Sequence, residues 1–192
     1  MPDYLADVVA TVRHLARSSN HVTQRSGVCV RLRLANYEAL AANALRRGLR
    51  AGERHVVARV DDLDALAASS MGKIEIESLE EGREGAIMEN LIKGAVLTVF
   101  KDVVPPEQTR AVVDAFEAGA VAHTGEGVTT EDLARLVEEV DALRTPVTIL
   151  TGGDESPAAV AAAAEFVLEG LHLSKRLNKD ASGASATYRG RT

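Results

Sequence analysis

The segment EGAIMENLIKGAVLTVF, residues 84–100, carries the strongest pattern in the chain. Its apolar residues form adjacent pairs that recur every four residues: Ile87-Met88, Leu91-Ile92, Ala95-Val96 and Val99-Phe100. A repeat of this length places the side chains on one face of an α-helix. The face is wide, because each turn contributes two apolar residues. The segment therefore predicts a long helix that is buried along one side.

Similar spacing predicts further helices on both sides of this segment. We expect them over residues 4–16 and 31–49, after Pro105-Pro106, from Thr129 to about 143, and from Ser156-Pro157 to about 171. Thr129 followed by Asp132 resembles a capping box, and Ser156-Pro157 suits the first positions of a helix. In the second helix one stripe comprises Tyr37, Ala41, Ala44, Leu45 and Gly48.

The segments between these helices are short. The sequence DDLDALAA predicts a brief helix that starts at Asp61 or Asp62, and residues 119–127 predict a loop. Residues 73–77 alternate apolar and charged side chains, which is typical of a short strand. We therefore expect a mainly α fold with at most a short β-hairpin.

The composition excludes several classes of protein. The 192 residues carry a net charge of −6, which argues against broad nucleic-acid binding. A single cysteine, Cys29, rules out an internal disulfide and favours a reducing, cytoplasmic compartment. No window approaches the roughly 20 apolar residues of a membrane span, and the first residues lack the basic region of a signal peptide. Nucleic acid and membrane are therefore not expected partners.

The last residues differ in composition from the rest of the chain. From Lys175 onward there are five Lys or Arg residues against one Asp, and NKDASGASATYRGRT shows no periodicity. We expect a basic, disordered tail over residues 176–192. Docking onto the acidic body or contact with an acidic neighbour are alternatives to free solvation.

Motifs for self-contained catalysis are absent from the sequence. There is no phosphate loop of the form GxxxxGK[ST], and TGGDES at 151–156 lacks the lysine that would meet a phosphate. The five histidines show no metal-ligand spacing. Cys29 lies between apolar neighbours and suits packing. Paired carboxylates, such as Asp61-Asp62 and Glu138-Glu139, are typical of solvated faces or helix starts. We expect no metal site and no complete active site.

One arginine stands where a helix does not favour it. Arg31 follows the polar stretch QRSGVCV and opens the second predicted helix, although a helix N-terminus already carries positive partial charge. Such a position is favourable if an anion lies in front of it, because guanidinium binds phosphate oxygens in a fork. The alternative is an ion pair between Arg31 and Glu38, seven residues further along the same helix.

The string NHVTQRSGVCVRLRLANYEALAANALRRGLRAGE, residues 20–53, resembles the helical lid of magnesium-chelatase-like AAA+ ATPases, the group that includes the chelatase I subunits and the MoxR ATPases. Residues 57–77, 82–100 and 165–180 are similar to the downstream sequence of that group. The resemblance covers residues 1–100 and 157–180 well and residues 101–156 thinly. It implies an AAA+ lid at 1–70, a helical C-terminal extension at 71–175 and the tail at 176–192.

The resemblance implies a nucleotide sensor. In such ATPases an arginine at the start of a lid helix contacts the terminal phosphate, within a pattern of glycine, two small residues, proline and arginine. Gly27 and Arg31 match that pattern at the same spacing, with Val30 in place of the proline. Arg31 is therefore the candidate sensor, and Arg25 is the second choice.

The rest of the family's machinery lies upstream of the lid and is not in this chain. We expect ATP and Mg²⁺ to act only together with an upstream ATPase module, and we expect no cofactor for these residues alone. The partners would be that module or neighbouring subunits of a ring, together with a partner protein. The intact ATPase would remodel that protein or drive metal chelation. The chain would be a fragment or a truncated reading frame. The alternative is a stand-alone helical interaction module derived from such an ATPase, and a helical enzyme has little support.

Overall fold

The computed structural model describes residues 1–19, 30–71 and 83–191, and most of them are helical. The helices are α1 (Asp3–Ser18), α2 (Val30–Ala51), α3 (Ala65–Ser70), α4 (Glu84–Val103), α5 (Arg110–Glu117), α6 (Thr130–Glu139), α7 (Arg144–Thr151) and α8 (Pro157–Leu173). Short 3₁₀ turns lie at Val60–Asp64, Pro106–Gln108 and Asp141–Leu143. Three strands, β1 (Val121–Gly125), β2 (Asn178–Ser182) and β3 (Ser185–Arg189), form one small sheet. The expected mainly α fold class is confirmed.

The core is arranged around α8. Every residue from 161 to 171 is buried, and α8 contacts α4, α6 and α7. A helix that is apolar on all sides is stable only when neighbours cover all of it. Its alanines at 161–164 let those neighbours approach closely, and the Phe166 ring packs against Tyr4 and Phe100 at centroid distances of 4.6 and 6.0 Å. Helix α8 is therefore the central element of the core.

The core continues across residue 70, where the sequence predicts a boundary between lid and extension. Helix α1 packs along α4, and residues of both belong to the same hydrophobic cluster as α8. Leu5, Val8 and Val12 from α1 are completely buried. The predicted boundary therefore does not coincide with a break in the packing.

Helix α2 has apolar residues on two different faces. The face that meets the body consists of Leu32, Asn36, Leu40, Ala44 and Arg47, which are all buried. Of the stripe noted in the sequence, Ala44 and Gly48 are buried, whereas Tyr37, Ala41 and Leu45 are exposed. The apolar pattern of this helix therefore identifies its outer surface as much as its inner one.

The end of the chain forms strands, which corrects two predictions. Residues 176–192 were expected to be a disordered tail, but β2 and β3 form a hairpin there, and β3 pairs antiparallel with β1, with His123 opposite Thr187. Residues 119–127, expected to be a loop, contain β1. Tyr188 is completely buried and Gly183 supplies the positive φ of the two-residue turn, so a few well-placed residues hold a segment of polar composition.

Of two smaller features that the sequence predicts, one lies within the described residues and the other lies outside them. The capping box at α6 is confirmed, because the Thr129 Oγ1 accepts from the Asp132 N–H and the Asp132 carboxylate accepts from the Thr129 N–H, each at 3.2 Å. The strand predicted at residues 73–77 lies outside the described residues.

The closest approach of α4 and α8 yields a stability prediction. A Cβ on Gly170 would lie 2.2 Å from the Phe100 ring, so Gly170→Ala must displace a buried aromatic side chain. We expect a loss of about 1–3 kcal/mol in the free energy of unfolding, the usual cost of overpacking. Denaturant unfolding measures it.

Gly85→Ala is the matched control, because Gly85 is also helical and a Cβ there meets nothing within 4 Å. That variant should gain up to about 1 kcal/mol through helix propensity. Equal effects of the two substitutions would contradict close packing of α4 against α8.

Candidate functional site

Arg47, near the end of α2, is the first member of a buried charged network. Its guanidinium forms ion pairs with Glu53 at 3.3 Å and with Asp62 at 3.1 Å, and it donates to the Val57 carbonyl at 2.8 Å. The sequence suggests a cation that complements the C-terminal end of the helix. The structure instead buries it, with 5% of its side chain exposed. Arg47 therefore fastens α2 to the extended segment that follows it.

Arg59 extends the network to the start of α6. Its Nη2 donates to the Thr130 hydroxyl at 2.6 Å and to Glu53 at 3.2 Å, and its Nη1 donates to the Val128 carbonyl at 3.0 Å. Only 2% of the side chain is exposed. A buried guanidinium requires this many acceptors, because an unpaired buried charge is strongly unfavourable.

Glu53 joins the two arginines. One carboxylate oxygen accepts from the Thr130 N–H at 3.0 Å and from the Thr130 hydroxyl at 2.7 Å. Burial alone would raise the pKa of Glu53, but the two Thr130 hydrogen bonds and the guanidiniums of Arg59 and Arg47 outweigh it and lower that pKa. Glu53 is therefore ionised in the folded protein.

The sequence suggests that Asp61 and Asp62 both lie on a solvated face or at a helix start. The structure shows that they do not both lie on a solvated face. Asp62 is 1% exposed, and its carboxylate caps the Val60–Asp64 turn by accepting from the Arg59 N–H at 2.9 Å. Its expected role at a helix start is thus present, but in the interior. Asp61 turns instead toward the central helix α8.

Asp61 and Glu165 form a carboxyl pair. Glu165 is 1% exposed, and neither of its oxygens is reached by an N–H or by a hydroxyl donor. Burial, followed by the charge of Asp61, raises the pKa of Glu165 well above its ordinary 4.5. Burial also raises the pKa of Asp61, although its hydrogen bond with Glu165 opposes that rise. The surroundings of Glu165 therefore favour its protonated form beside Asp61.

Glu169, one turn after Glu165, holds the C-terminal hairpin. Its Oε2 accepts from the Lys179 ammonium at 2.8 Å and from the Tyr188 hydroxyl at 2.5 Å. The Lys179 ammonium also lies 5.3 Å from the centre of the Tyr188 ring, within cation–π range. Burial and then the Glu169 charge raise the pKa of Tyr188, which stays protonated as the donor. These contacts dock the hairpin onto the body of the protein. Docking was one of the alternatives to free solvation that the sequence left open for this segment.

A cleft of about 950 Å³ opens beside this network, between α2, the Val60–Asp64 turn, α4 and the hairpin. Its walls carry charges of both signs: Arg46, Arg50, Lys93 and Lys179 face Asp61, Asp64, Glu89 and Glu126. Burial and then the charge of Asp61 raise the pKa of Asp64. In the part of the chain that the structure describes, no three His, Cys, Asp or Glu side chains are grouped to hold a metal ion. The cleft thus presents cationic and anionic side chains side by side.

The candidate sensor Arg31 lies at the other end of α2 from this network. Arg31 is in the first turn of α2, and its side chain lies outside the described part of the chain. Arg25 and Cys29 fall entirely outside the described residues. The choice between an anion and Glu38 as the partner of Arg31 therefore falls outside the described residues.

Sequence reasoning missed the buried acids of α8. Glu165 and Glu169 are the acidic residues of an otherwise apolar run, AAVAAAAEFVLEG, and are four residues apart. That spacing places both on one side of a helix. A pair of acids on one face of an apolar helix was the signal that could have located this network.

Comparisons with known proteins found nothing that matches: no family model, no curated protein and no solved structure resembles the chain detectably. In the described residues, every helix is too short or too polar to cross a membrane.

The Asp61–Glu165 pair predicts a specific pH dependence. Because the pKa of Glu165 is higher in the folded state than its ordinary 4.5, the native protein retains a proton that the unfolded chain releases above that pH. The free energy of unfolding contributed by this group therefore falls as the pH rises from 4.5 toward the raised pKa. Glu165→Gln cannot ionise, and its amide can donate to Asp61. We expect the variant to be about 1–3 kcal/mol more stable than the wild type at pH 8.

Denaturant unfolding from pH 5 to pH 8 measures this difference, with the exposed Glu138→Gln as the control. Because the pKa of Glu53 is lowered, its contribution to the free energy of unfolding has the opposite pH dependence and is lost as the pH falls below 4.5. This contribution is common to all three proteins. A difference between wild type and Glu165→Gln that does not change with pH would contradict a proton held on Glu165 in the folded state.

Proposed function

We propose that this chain is the nucleotide-sensing lid and C-terminal helical region of a magnesium-chelatase-like AAA+ ATPase. The intact ATPase would remodel partner proteins or drive metal chelation in the cytoplasm. An upstream module would bind ATP and Mg²⁺, and the 192 residues would have no ATPase activity alone. Neighbouring subunits of a ring would be the immediate partners. The resemblance of residues 20–53 to the family's lid is the starting point of this proposal.

The position of Arg31 carries the proposal. Its backbone lies in the first turn of a 22-residue helix, and that turn contains no acidic residue. The partial positive charge of the helix end and a guanidinium therefore occur together, and both favour an anion in front of α2. A charge-assisted hydrogen bond to phosphate contributes about 1.5–3 kcal/mol, which is enough to shift a lid between two positions.

The network at the other end of α2 suits a lid that transmits this contact. Arg47 and Arg59 link the end of α2 to the Val60–Asp64 turn and to α6. A displacement of α2 would be resisted at these buried charges and so would move the helical body with it. Phosphate contact at Arg31 would then act on the whole chain.

A second candidate is a stand-alone helical interaction module. The observation that favours it is the exposed apolar side of α2, where Leu34 and Leu49 are 59% and 72% exposed. Large exposed apolar groups on one helix face are typical of protein contacts. Reading the DNA upstream of Met1 separates the candidates: an in-frame phosphate loop supports the ATPase, and its absence supports the module.

The sensor role predicts the effect of Arg31→Ala in the protein that includes the upstream ATPase module. Nucleotide affinity should fall about ten- to a hundredfold, since about 1.5–3 kcal/mol of phosphate contact is lost. ATP turnover should fall with it. Binding of a fluorescent ATP analogue and phosphate release measure the two effects.

Arg33→Ala is the matched control, because it removes an exposed arginine two residues further along the same helix. It should leave affinity and turnover within about twofold of the wild type. Turnover and ring assembly that are unchanged in Arg31→Ala would overturn the assignment. An effect of Arg25→Ala alone would move the role to Arg25. Hydrolysis of ATP by the isolated 192 residues would contradict both candidates.

A further inference from the structure

The cations that line the cleft of about 950 Å³ are already engaged by other side chains of the protein. The ion pairs are Lys93–Glu89, Arg50–Glu126, Lys179–Glu169 and Arg47–Asp62, at 2.5, 3.4, 2.8 and 3.1 Å, and Arg46 donates to the Asn43 side chain. Two further acids line the same cleft, Asp61 and Asp64, and neither forms an ion pair with a cation of the described residues. The cleft therefore contains two carboxyl groups whose charge the surrounding side chains do not neutralise by direct contact.

Asp61 and Asp64 lie on the same side of the Val60–Asp64 turn. The turn is a 3₁₀ helix, in which side chains three residues apart are eclipsed and about 6 Å apart along the axis. One ammonium group can span that separation, because its N–H groups bond carboxylates at about 2.8 Å on either side. Lys179 lies near enough to lower the pKa of both acids, but its ammonium donates to Glu169. The space between the two carboxyl groups is thus suited to a cation from outside the chain.

Glu165, on the core side of Asp61, adds a third carboxyl group and no positive charge. It is 1% exposed and hydrogen-bonded to Asp61, and neither of its oxygens accepts from an N–H group or a hydroxyl. The guanidiniums of Arg47 and Arg59 act on it only from a distance, because they donate to other residues. Asp61 therefore has a buried acid without a donor behind it and the cleft in front of it. A compensating positive charge can approach this pair from the cleft.

We propose that the cleft binds a small organic molecule with a primary ammonium group, which donates to the carboxylates of Asp61 and Asp64. The hydrocarbon part of the molecule would pack against Ile92 and Val96, which line the cleft from α4. The volume of the cleft is within the range of small-molecule sites, about 300–1,000 Å³.

An organic cation fits the described residues better than a metal ion does. No three His, Cys, Asp or Glu side chains in residues 1–19, 30–71 and 83–191 are grouped to hold a metal. An ammonium group requires only two or three acceptors, and its attached hydrocarbon uses the apolar wall that a metal ion would leave empty. Neither Arg31 nor a nucleotide takes part in this contact, so the proposal does not rest on the sensor role.

The test is a titration of the ¹⁵N-labelled 192-residue chain with hexylamine at pH 7, followed by NMR. The amides of residues 60–67 and 89–96 should shift and saturate with a Kd of about 5 mM or less. The matched ligand is 1-hexanol, which has the same hydrocarbon chain and no charge. It should bind at least about tenfold more weakly, because it lacks the charge-assisted hydrogen bonds. Equal affinity for the two ligands, shifts confined to other parts of the chain, or no shifts up to about 20 mM hexylamine would overturn the proposal.

Substitutions in the cleft test the two carboxylates. Asp61→Asn and Asp64→Asn should each weaken hexylamine binding at least about tenfold. Glu126→Gln is the matched control and should stay within about twofold of the wild type, because Glu126 lines the same cleft but is already paired with Arg50. Asp64 is exposed, so its variant tests the site even if Asp61→Asn alters the fold, which circular dichroism would detect. Equal losses in Asp64→Asn and Glu126→Gln would show attraction by general negative charge and would overturn the assigned site.

Discussion

The burial of α8 on every side is the constraint on which the rest of the structure depends. An apolar helix in this position must be covered by α4, α6 and α7 at short range, so small residues are required where the helices approach closely. Four alanines and Gly170 meet that requirement on α8, and the rings of Tyr4, Phe100 and Phe166 fill the space beside them. A chain with only 3% aromatic residues thus concentrates three of them at one point.

The same burial determines the chemistry of the polar interior. Glu165 and Glu169 are both buried, and the structure stabilises them in different ways. Glu169 receives hydrogen bonds from an ammonium and a phenolic hydroxyl of the C-terminal hairpin. Glu165 has no hydrogen-bond donor at its oxygens, and burial and the nearby Asp61 raise its pKa well above 4.5, although the guanidiniums of Arg59 and Arg47 oppose that rise. One glutamate therefore fixes the end of the chain, and the other makes the centre of the fold sensitive to pH.

The sequence allowed prediction of the features whose cause is local. The apolar pairs of residues 84–100 and the capping box at Thr129 depend on neighbours within one or two turns, and both are present. The hairpin could not be recognised in this way, because β3 pairs with β1 more than sixty residues earlier and is held by Tyr188 and Glu169. The buried network was missed for a similar reason. Whether Arg47 is a solvated helix cation or an internal anchor depends on Asp62, which is fifteen residues away.

Helix α2 reverses the usual distribution of polar and apolar side chains. Its inner side carries the buried Asn36 and Arg47 beside Leu32, Leu40 and Ala44, whereas three further leucines and a tyrosine face outward. The inner polar groups are tolerated because Asn36 meets Ser70, and Arg47 meets Asp62 and Glu53. No comparable internal partner stabilises the outer residues in the described part of the chain. Helix α2 is therefore held to the body by its inner side, where buried charges supplement the apolar contacts. The leucines of its outer side contribute nothing to that attachment, so its apolar pattern alone could not indicate which side faces the core.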